Sequence, residues 1–462
     1  PLIRRVNEAM LSTLAACGDV ERNVLCCPSP YRDPVRDAIH GDALQLAAHL
    51  APRSSAYWDL WLDGEKVPNS QWPEAGPVLV PTPGDDAAEP IYGKAYLPRK
   101  FKTAFALPDD NCTDVYANDL GFLGIIEAGQ LVGYNVLVGG GMGTTPSAAK
   151  TFPAVAQALT YVPRDEVRRI AEAVIKVYRD LGDRSDRKRA RIKYVLADIG
   201  LPAFKAKVEE YLGVKLPMPK LTTRLEVRDH LGWEEQGDGK LSLGLPLENG
   251  RVKDEGDRRI ASGLRTFFER FGTPARLTCG QSLLLVDIDP SWKAEVVALV
   301  AEHGIPTIER VSTVRRWAMA CPALPTCGLA VTESERAMPS LLDELERELA
   351  RQGLAEERLT VRMTGCPNGC ARPYNSDIGL VGRSASKGED GSNSPGTYTI
   401  FLGGRTQGDR LNTLFKDYVP YENIVAELAP IFARFAAERS EGESFGEFCD
   451  RAGVVGEAAD TL

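Results

Sequence analysis

Apolar positions fall into two rhythms along this chain. From Asp165 to Leu181 they recur at helical spacing, at Val167, Ile170, Val174, Val177, Tyr178 and Leu181, the stripe of an amphipathic helix. Leu341 to Leu349 carries the same stripe and stops at Gly353, and Asn423 to Arg439 predicts a third helix. Elsewhere, β-branched apolar runs bounded by glycine predict strands. Asn118–Ile126 and Gly133–Gly141 form one such pair; Ser376–Gly382 and Gly396–Gly404 form another. Both read as strand, turn, strand and glycine cluster, so the chain contains two weak copies of one unit. Glycine in those clusters lets backbone approach a ligand or another strand closely. A pseudo-symmetric fold with a site between its halves is the expectation.

Between the copies, Leu221 to Pro306 alternates strand-like runs (240–246, 275–278, 283–287) with an Ala/Val-rich helix from Lys293. This reads as a compact α+β module. Residues 182–194 are densely basic, and Ser384 to Pro395 is a polar, Gly/Ser-rich surface loop. At 462 residues the chain exceeds one small core and implies two or three domains or layers. No run of eighteen apolar residues exists and no signal-peptide pattern opens the sequence, so no membrane span is expected. The first residue is proline, which suggests a processed protein or a piece of a longer one.

A net charge of −9 argues against nucleic acid as a partner, although an acidic exterior can hold a local basic pocket. Ten cysteines spread over so long a chain argue for a reduced, cytoplasmic setting over a disulfide framework. The four histidines, His40, His49, His230 and His303, show no metal-ligand spacing, and a histidine-based metal site is not expected.

Four cysteines do show a pattern. Cys321 and Cys327 form C-x5-C; after thirty-eight residues, Cys366 and Cys370 form C-x3-C around a Pro-Asn-Gly turn. Buried structural thiols would not need two tight pairs, each with a Cys-Pro step. Zinc sites favour closer spacing than C-x5-C. Four thiolates are what a cubane iron–sulfur cluster needs. The other six, Cys17, Cys26, Cys27, Cys112, Cys279 and Cys449, show no such pattern and read as core or surface thiols. Cys26 and Cys27 are adjacent, too close for a normal chelating turn.

Cations cluster in three places: Arg22; Arg99, Lys100 and Lys102; and the run from Arg184 to Lys193 that includes Arg191. A charge run is usually a solvated face. Lys100 and Lys102, however, share one face of a strand that continues into apolar 104–107. An inward lysine pair is costly without an anion. Guanidinium and ammonium groups that converge on one point bind oxyanions. Together with a redox centre they suggest reduction of an anion.

The cysteine pattern, Gly18–Val24, Leu97–Lys102, Arg184–Lys188 and the closing Phe445–Gly453 together resemble sulfite reductases of the siroheme and iron–sulfur type, within the nitrite/sulfite reductase family. The similarity runs from about Gly18 to Gly453. It implies an α+β fold: a pseudo-two-fold repeat of mixed α/β siroheme-binding units with a ferredoxin-like half-module between them. The implied division is 1–160 for the first repeat, 161–220 for a helical basic connector, 221–310 for the half-module and 311–462 for the second repeat. It implies a 4Fe-4S cluster on Cys321, Cys327, Cys366 and Cys370, with Cys370 also bridging to the siroheme iron. Arg22, Lys100 and Lys102 become the catalytic anion clamp. Arg99, Arg191 and Lys193 become partners of the siroheme carboxylates, and Gln281 and Asn368 further cofactor contacts.

The implied reaction is assimilatory reduction of sulfite to sulfide, for cysteine biosynthesis. Nitrite reduction on the same architecture is the nearest alternative, and an inactive cluster-binding carrier the next. Nitrite-reducing relatives tend to have a neutral residue where this chain has Lys102, and doubly charged sulfite wants more cation than nitrite. The 139–143 glycines lack G-x-G-x-x-G spacing, so electrons are expected from a partner, either a ferredoxin or a flavoprotein subunit. Two departures stand out. Family members carry a further N-terminal stretch that supplies the other half of the ferredoxin-like module and another active-site arginine. Gly18 stands where some relatives have asparagine.

Overall fold

The internal repeat is realised as two five-stranded sheets of identical topology. A computed structural model describes residues 18–52, 61–62, 65–66, 89–145, 148, 150–387 and 393–454; Cys17, Pro1 and the middle of the 384–395 loop lie outside them. The first sheet contains β1 (Glu21–Leu25), β2 (Phe101–Ala106), β3 (Leu120–Glu127), β4 (Gln130–Val138) and β5 (Gln157–Pro163), adjacent in that order. A middle sheet is built from β6 (Gly232–Glu235), β7 (Leu241–Leu245), β8 (Ala275–Leu277) and β9 (Leu283–Ile288). The last contains β10 (Ala318–Ala320), β11 (Val361–Thr364), β12 (Ile378–Lys387), β13 (Asn393–Leu402) and β14 (Thr413–Pro420), again in chain order. In both five-stranded sheets the first three strands are parallel and the last two antiparallel.

The correspondence reaches individual atoms. Asp119 accepts the Lys102 amide at 3.0 Å, and Asp377 accepts the Thr360 amide at 2.9 Å. Both carboxyls are pushed up chiefly by burial. Gly140 and Gly404 tolerate no side chain: a Cβ would sit 2.2 Å from the Tyr116 carbonyl oxygen in one copy and 2.3 Å from that of Ser376 in the other.

Helices α1 (Pro34–Leu50), α2 (Val167–Leu181) and α3 (Ile192–Leu212) cover the first sheet. Asp33 caps α1 by accepting from the Val35 and Arg36 amides. In the core, Phe105 stacks on Phe122 at 4.7 Å and meets the Tyr134 edge at 5.4 Å. Each such buried aromatic contributes roughly 1.5–3 kcal/mol. Residues 161–220 do not stand apart as a connector. Ile170, Val174, Ile192, Val195 and Phe204 share one core with β2 to β4, because the basic run is only the connection between two helices that pack on this sheet.

The middle sheet, ordered β8-β9-β7-β6 and antiparallel throughout, carries α4 (Ile260–Phe271) and α5 (Lys293–Glu302) over a separate core. Helices α6 (Met338–Arg351), α7 (Ile424–Glu438) and α8 (Phe445–Arg451) complete the second repeat, and a capping box at Ser444 and Glu447 starts α8. Among the described residues, no helix is long and apolar enough to cross a membrane.

A buried polar network bolts the repeats together. Asp114 of the first accepts from Arg362 at 2.9 Å and Asn375 at 2.9 Å, and pairs with Arg372 at 2.7 Å, all from the second. A buried pair of this kind costs ~3–5 kcal/mol to break, so the two repeats are held firmly together here.

Candidate active site

The two cysteine pairs emerge at one end of neighbouring parallel strands. β10 and β11 are in register through Ala320 and Met363, so Cys321 and Cys366 leave the sheet side by side. The Gly365 amide donates to the Cys321 sulfur at 3.3 Å. Burial raises the Cys321 thiol, and so does Cys370; burial also raises Cys366, with Cys370 and Cys327 adding to it, while the Asn368 amide and side chain donate to Cys366 and oppose the rise. None of the four is in a disulfide. Thiols that converge and repel one another as thiolates suit a polynuclear cation that replaces their protons. Cys321 and Cys366 are buried, Cys327 half-buried and Cys370 exposed, so one sulfur of the set faces outward.

Cys370 lies near enough to Lys102 for its charge to act on that lysine. Lys100 and Lys102 lie at the start of β2, next to Arg22 on β1. Lys102 is held below its ordinary pKa by burial, then by Arg191, with Arg22 contributing less; Asp119 and Cys370 oppose the shift. Burial lowers Lys100 further, to about 8, and Arg191, Lys102, Arg22 and Arg99 add to the effect. Burial and the crowding of cations thus depress both lysines. A bound anion would restore the missing charge balance.

Arg191 is half-buried and bidentate to Asp119, Nε to Oδ1 at 2.9 Å and Nη2 to Oδ2 at 2.7 Å. Asp119 therefore holds Arg191 and the Lys102 backbone together, and it is the site residue that sequence reasoning missed. Its signal was the Asp at the same place in both copies of the repeat. Arg99 is half-buried beside Lys100, and its carbonyl accepts from Tyr178 at 3.1 Å.

Three residues expected at the cofactor make contacts within the protein. The Lys193 ammonium is buried and donates to the carbonyls of Gly141 at 3.0 Å, Gly143 at 2.7 Å and Phe152. All three of its protons are used, so none remains for a siroheme carboxylate. It fixes the 139–144 glycine loop, which docks on the cysteine turn through the Thr144 amide and the Pro367 carbonyl at 2.9 Å. Gly369, at φ +65° in that turn, has room for no side chain without pressing on the Met142 carbonyl. Gln281 spends its amide on the Ala320 backbone, Nε2 to O at 2.7 Å and N to Oε1 at 3.0 Å, and so orients Cys321. Asn368 is exposed and caps the Cys366 sulfur. Lys193→Met is expected to destabilise the fold by ~1–3 kcal/mol through orphaned carbonyls. The urea midpoint should fall with an unchanged slope.

Comparison with known proteins decides the family. The sequence model of the nitrite and sulphite reductase 4Fe-4S domain matches residues 43–216 and 312–456, the two repeats without the middle module. The chain belongs to the nitrite and sulphite reductase family. It is 43% identical over 457 residues to the sulfite reductase (ferredoxin) of Synechococcus elongatus, covering 98% of this chain and 72% of that one. It is 44% identical over 455 residues to the sulfite reductase (NADPH) hemoprotein beta-component of Myxococcus xanthus, covering 98% and 76%. Among solved structures it resembles the Mycobacterium tuberculosis NirA protein, with a TM-score of 0.75, 27% identity, and coverage of 98% and 74%. For a member of this family, the exposed Cys370 and the cations opposite it sit where the repeats meet.

Proposed function

We infer that this protein catalyses the six-electron reduction of sulfite to sulfide, with a siroheme and a 4Fe-4S cluster as its cofactors. The observation that carries the reading is that Cys370, the exposed one of the four cysteines, lies near Lys102, which shares its surroundings with Lys100 and Arg22. When bound, the siroheme supplies an open iron position and the cluster supplies stored electrons. Cys321, Cys327, Cys366 and Cys370 would hold the cluster, with Cys370 shared with the siroheme. Arg22, Lys100 and Lys102 grip the oxygens of the anion and stabilise the charge that builds on each as it departs. Lys100 is suited to donate protons to those oxygens, because its pKa lies at about 8. Asp119 and Arg191 position Lys102 from behind. Arg99, half-buried at the pocket edge, remains suited to a siroheme carboxylate.

On this reading 1–160 and 311–462 are the two repeats and 221–310 the ferredoxin-like half-module. Electrons come from a donor protein, a ferredoxin or a flavoprotein subunit, and the reduced thiols suit the cytoplasm. The test is reconstitution. A tetrapyrrole Soret and α band should appear with the iron–sulfur absorbance, and kcat/KM should favour sulfite over nitrite. A spectrum without tetrapyrrole bands, or a preference for nitrite, would refute it.

Lys100 also sets a pH dependence. Its pKa is lowered in the folded pocket, so its charge is present below about pH 8 and lost above it. Sulfite binding above that point must take up a proton. kcat/KM is therefore expected to fall by up to about tenfold per pH unit above the break. Lys100→Arg, charged throughout, should remove that break and leave only the titration of sulfite itself, measured as pH–rate profiles of the two proteins.

A further inference from the structure

A second set of ligating side chains closes on one point away from the anion pocket. Cys27 lies two residues past β1, Asp110 and Cys112 lie in the loop after β2, and His230 lies just before β6. One donor atom from each falls within 4.8 Å of the other three. The Asp110 Oδ2 is 2.9 Å from the Cys27 sulfur and 2.9 Å from His230 Nε2, and that nitrogen is 3.5 Å from the same sulfur. A tetrahedral site with bonds of 2.0–2.3 Å needs ligand–ligand edges of roughly 3.3–3.8 Å. The Cys27, Asp110 and His230 atoms need to move apart by only a fraction of an ångström to admit an ion, and the Cys112 sulfur lies within 4.8 Å of each.

The surroundings are built for it. Cys27, Asp110 and His230 are respectively 8%, 2% and 4% exposed. The other Asp110 oxygen accepts from the Cys112 amide at 3.0 Å and the Arg228 amide at 3.3 Å, which turns Oδ2 inward. The Ser29 amide donates to the Cys27 sulfur at 3.4 Å. Such outer hydrogen bonds orient metal ligands. His230 Nδ1 is buried with no hydrogen-bond partner among the described residues, so nothing but the opposite ring nitrogen holds this imidazole. A cavity of about 60 Å³ borders Cys112 and His230 and offers an entry path. A carboxylate, an imidazole and two cysteine sulfurs meet where one cation would satisfy all four donors.

We propose that Cys27, Asp110, Cys112 and His230 hold one divalent cation of the zinc class, closed on four protein ligands and therefore structural. Two thiolates and an imidazole select such an ion over magnesium or calcium. The site ties the edge of the first repeat to the segment entering the middle module, and it is independent of the cluster cysteines.

The test uses cofactor-loaded protein, whose four cluster thiols are already occupied. After dialysis against a weak chelator, metal analysis should find one zinc per chain. Cobalt loaded in its place should show thiolate charge-transfer and tetrahedral bands. Cys112→Ser and His230→Gln should lose both signals while iron and siroheme contents stay at the parent level. If either variant fails to fold, the zinc content and cobalt spectrum of the parent still decide. No zinc and no cobalt bands in the parent, equal metal in the variants, or a Cys27–Cys112 disulfide found by thiol counting and peptide mass would each overturn the proposal.

Discussion

Cys370→Ser is expected to cut sulfite reduction to below about a thousandth of the parent rate, a barrier increase of more than ~4 kcal/mol. The size follows from position. Cys321 and Cys366 are buried against the β10 and β11 ends and held by backbone or Asn368 donors. They can retain iron with Cys327 even when the fourth sulfur is lost. Cys370 alone is exposed towards Lys102. A serine oxygen there is a harder, poorer ligand for iron than a thiolate, and on the proposed reading Cys370 is the residue that would serve both the cluster and the siroheme. Iron should therefore be partly retained, and magnetic coupling between cluster and siroheme should vanish. A Cys370→Ser protein that turns over sulfite within about tenfold of the parent would show that electrons do not pass through this residue.

The parts of this site legible in the sequence were local. C-x5-C and C-x3-C are short, and Lys100 and Lys102 share a strand face because strands alternate. The repeat was legible because its glycines and acidic residue recur in order, and the sheets they form match strand for strand. What the sequence hid depends on distant partners. Lys193 belonged to a charge run, and only the fold shows its ammonium filled by three carbonyls of the glycine loop. Gln281 reads as a cofactor contact by resemblance, and its bond to the Ala320 backbone shows only once β10 lies beside it. The Cys27 group escaped because Asp110 and His230 stand 83 and 203 residues from Cys27. Spacing rules for metal sites see ligands on one turn or hairpin, and here each comes from a different segment. The expectation of no histidine-based site came from that limit.

Lys102→Ala is expected to lower kcat/KM for sulfite by ~10²–10³, about 2.7–4 kcal/mol, the usual cost of one donor aimed at developing charge in a dry site. Siroheme and iron contents should not change, because the Lys102 side chain is one of several cations in the pocket and Asp119 still holds its backbone amide. Lys102→Asn should cost nitrite less than sulfite, since the singly charged anion relies less on the second lysine, and the kcat/KM ratio of nitrite to sulfite should rise. Structure adds a second signature. Lys102 is one of the charges that depress Lys100. Removing it favours the charged form of its neighbour, so the break in kcat/KM at about pH 8 should move upward in Lys102→Ala. A variant that lost sulfite turnover with the break unmoved would mean that the two lysines do not share one pocket. Unchanged sulfite kinetics would mean that the anion is held elsewhere. Loss of turnover with an upward shift is the outcome that a single cationic clamp facing Cys370 requires.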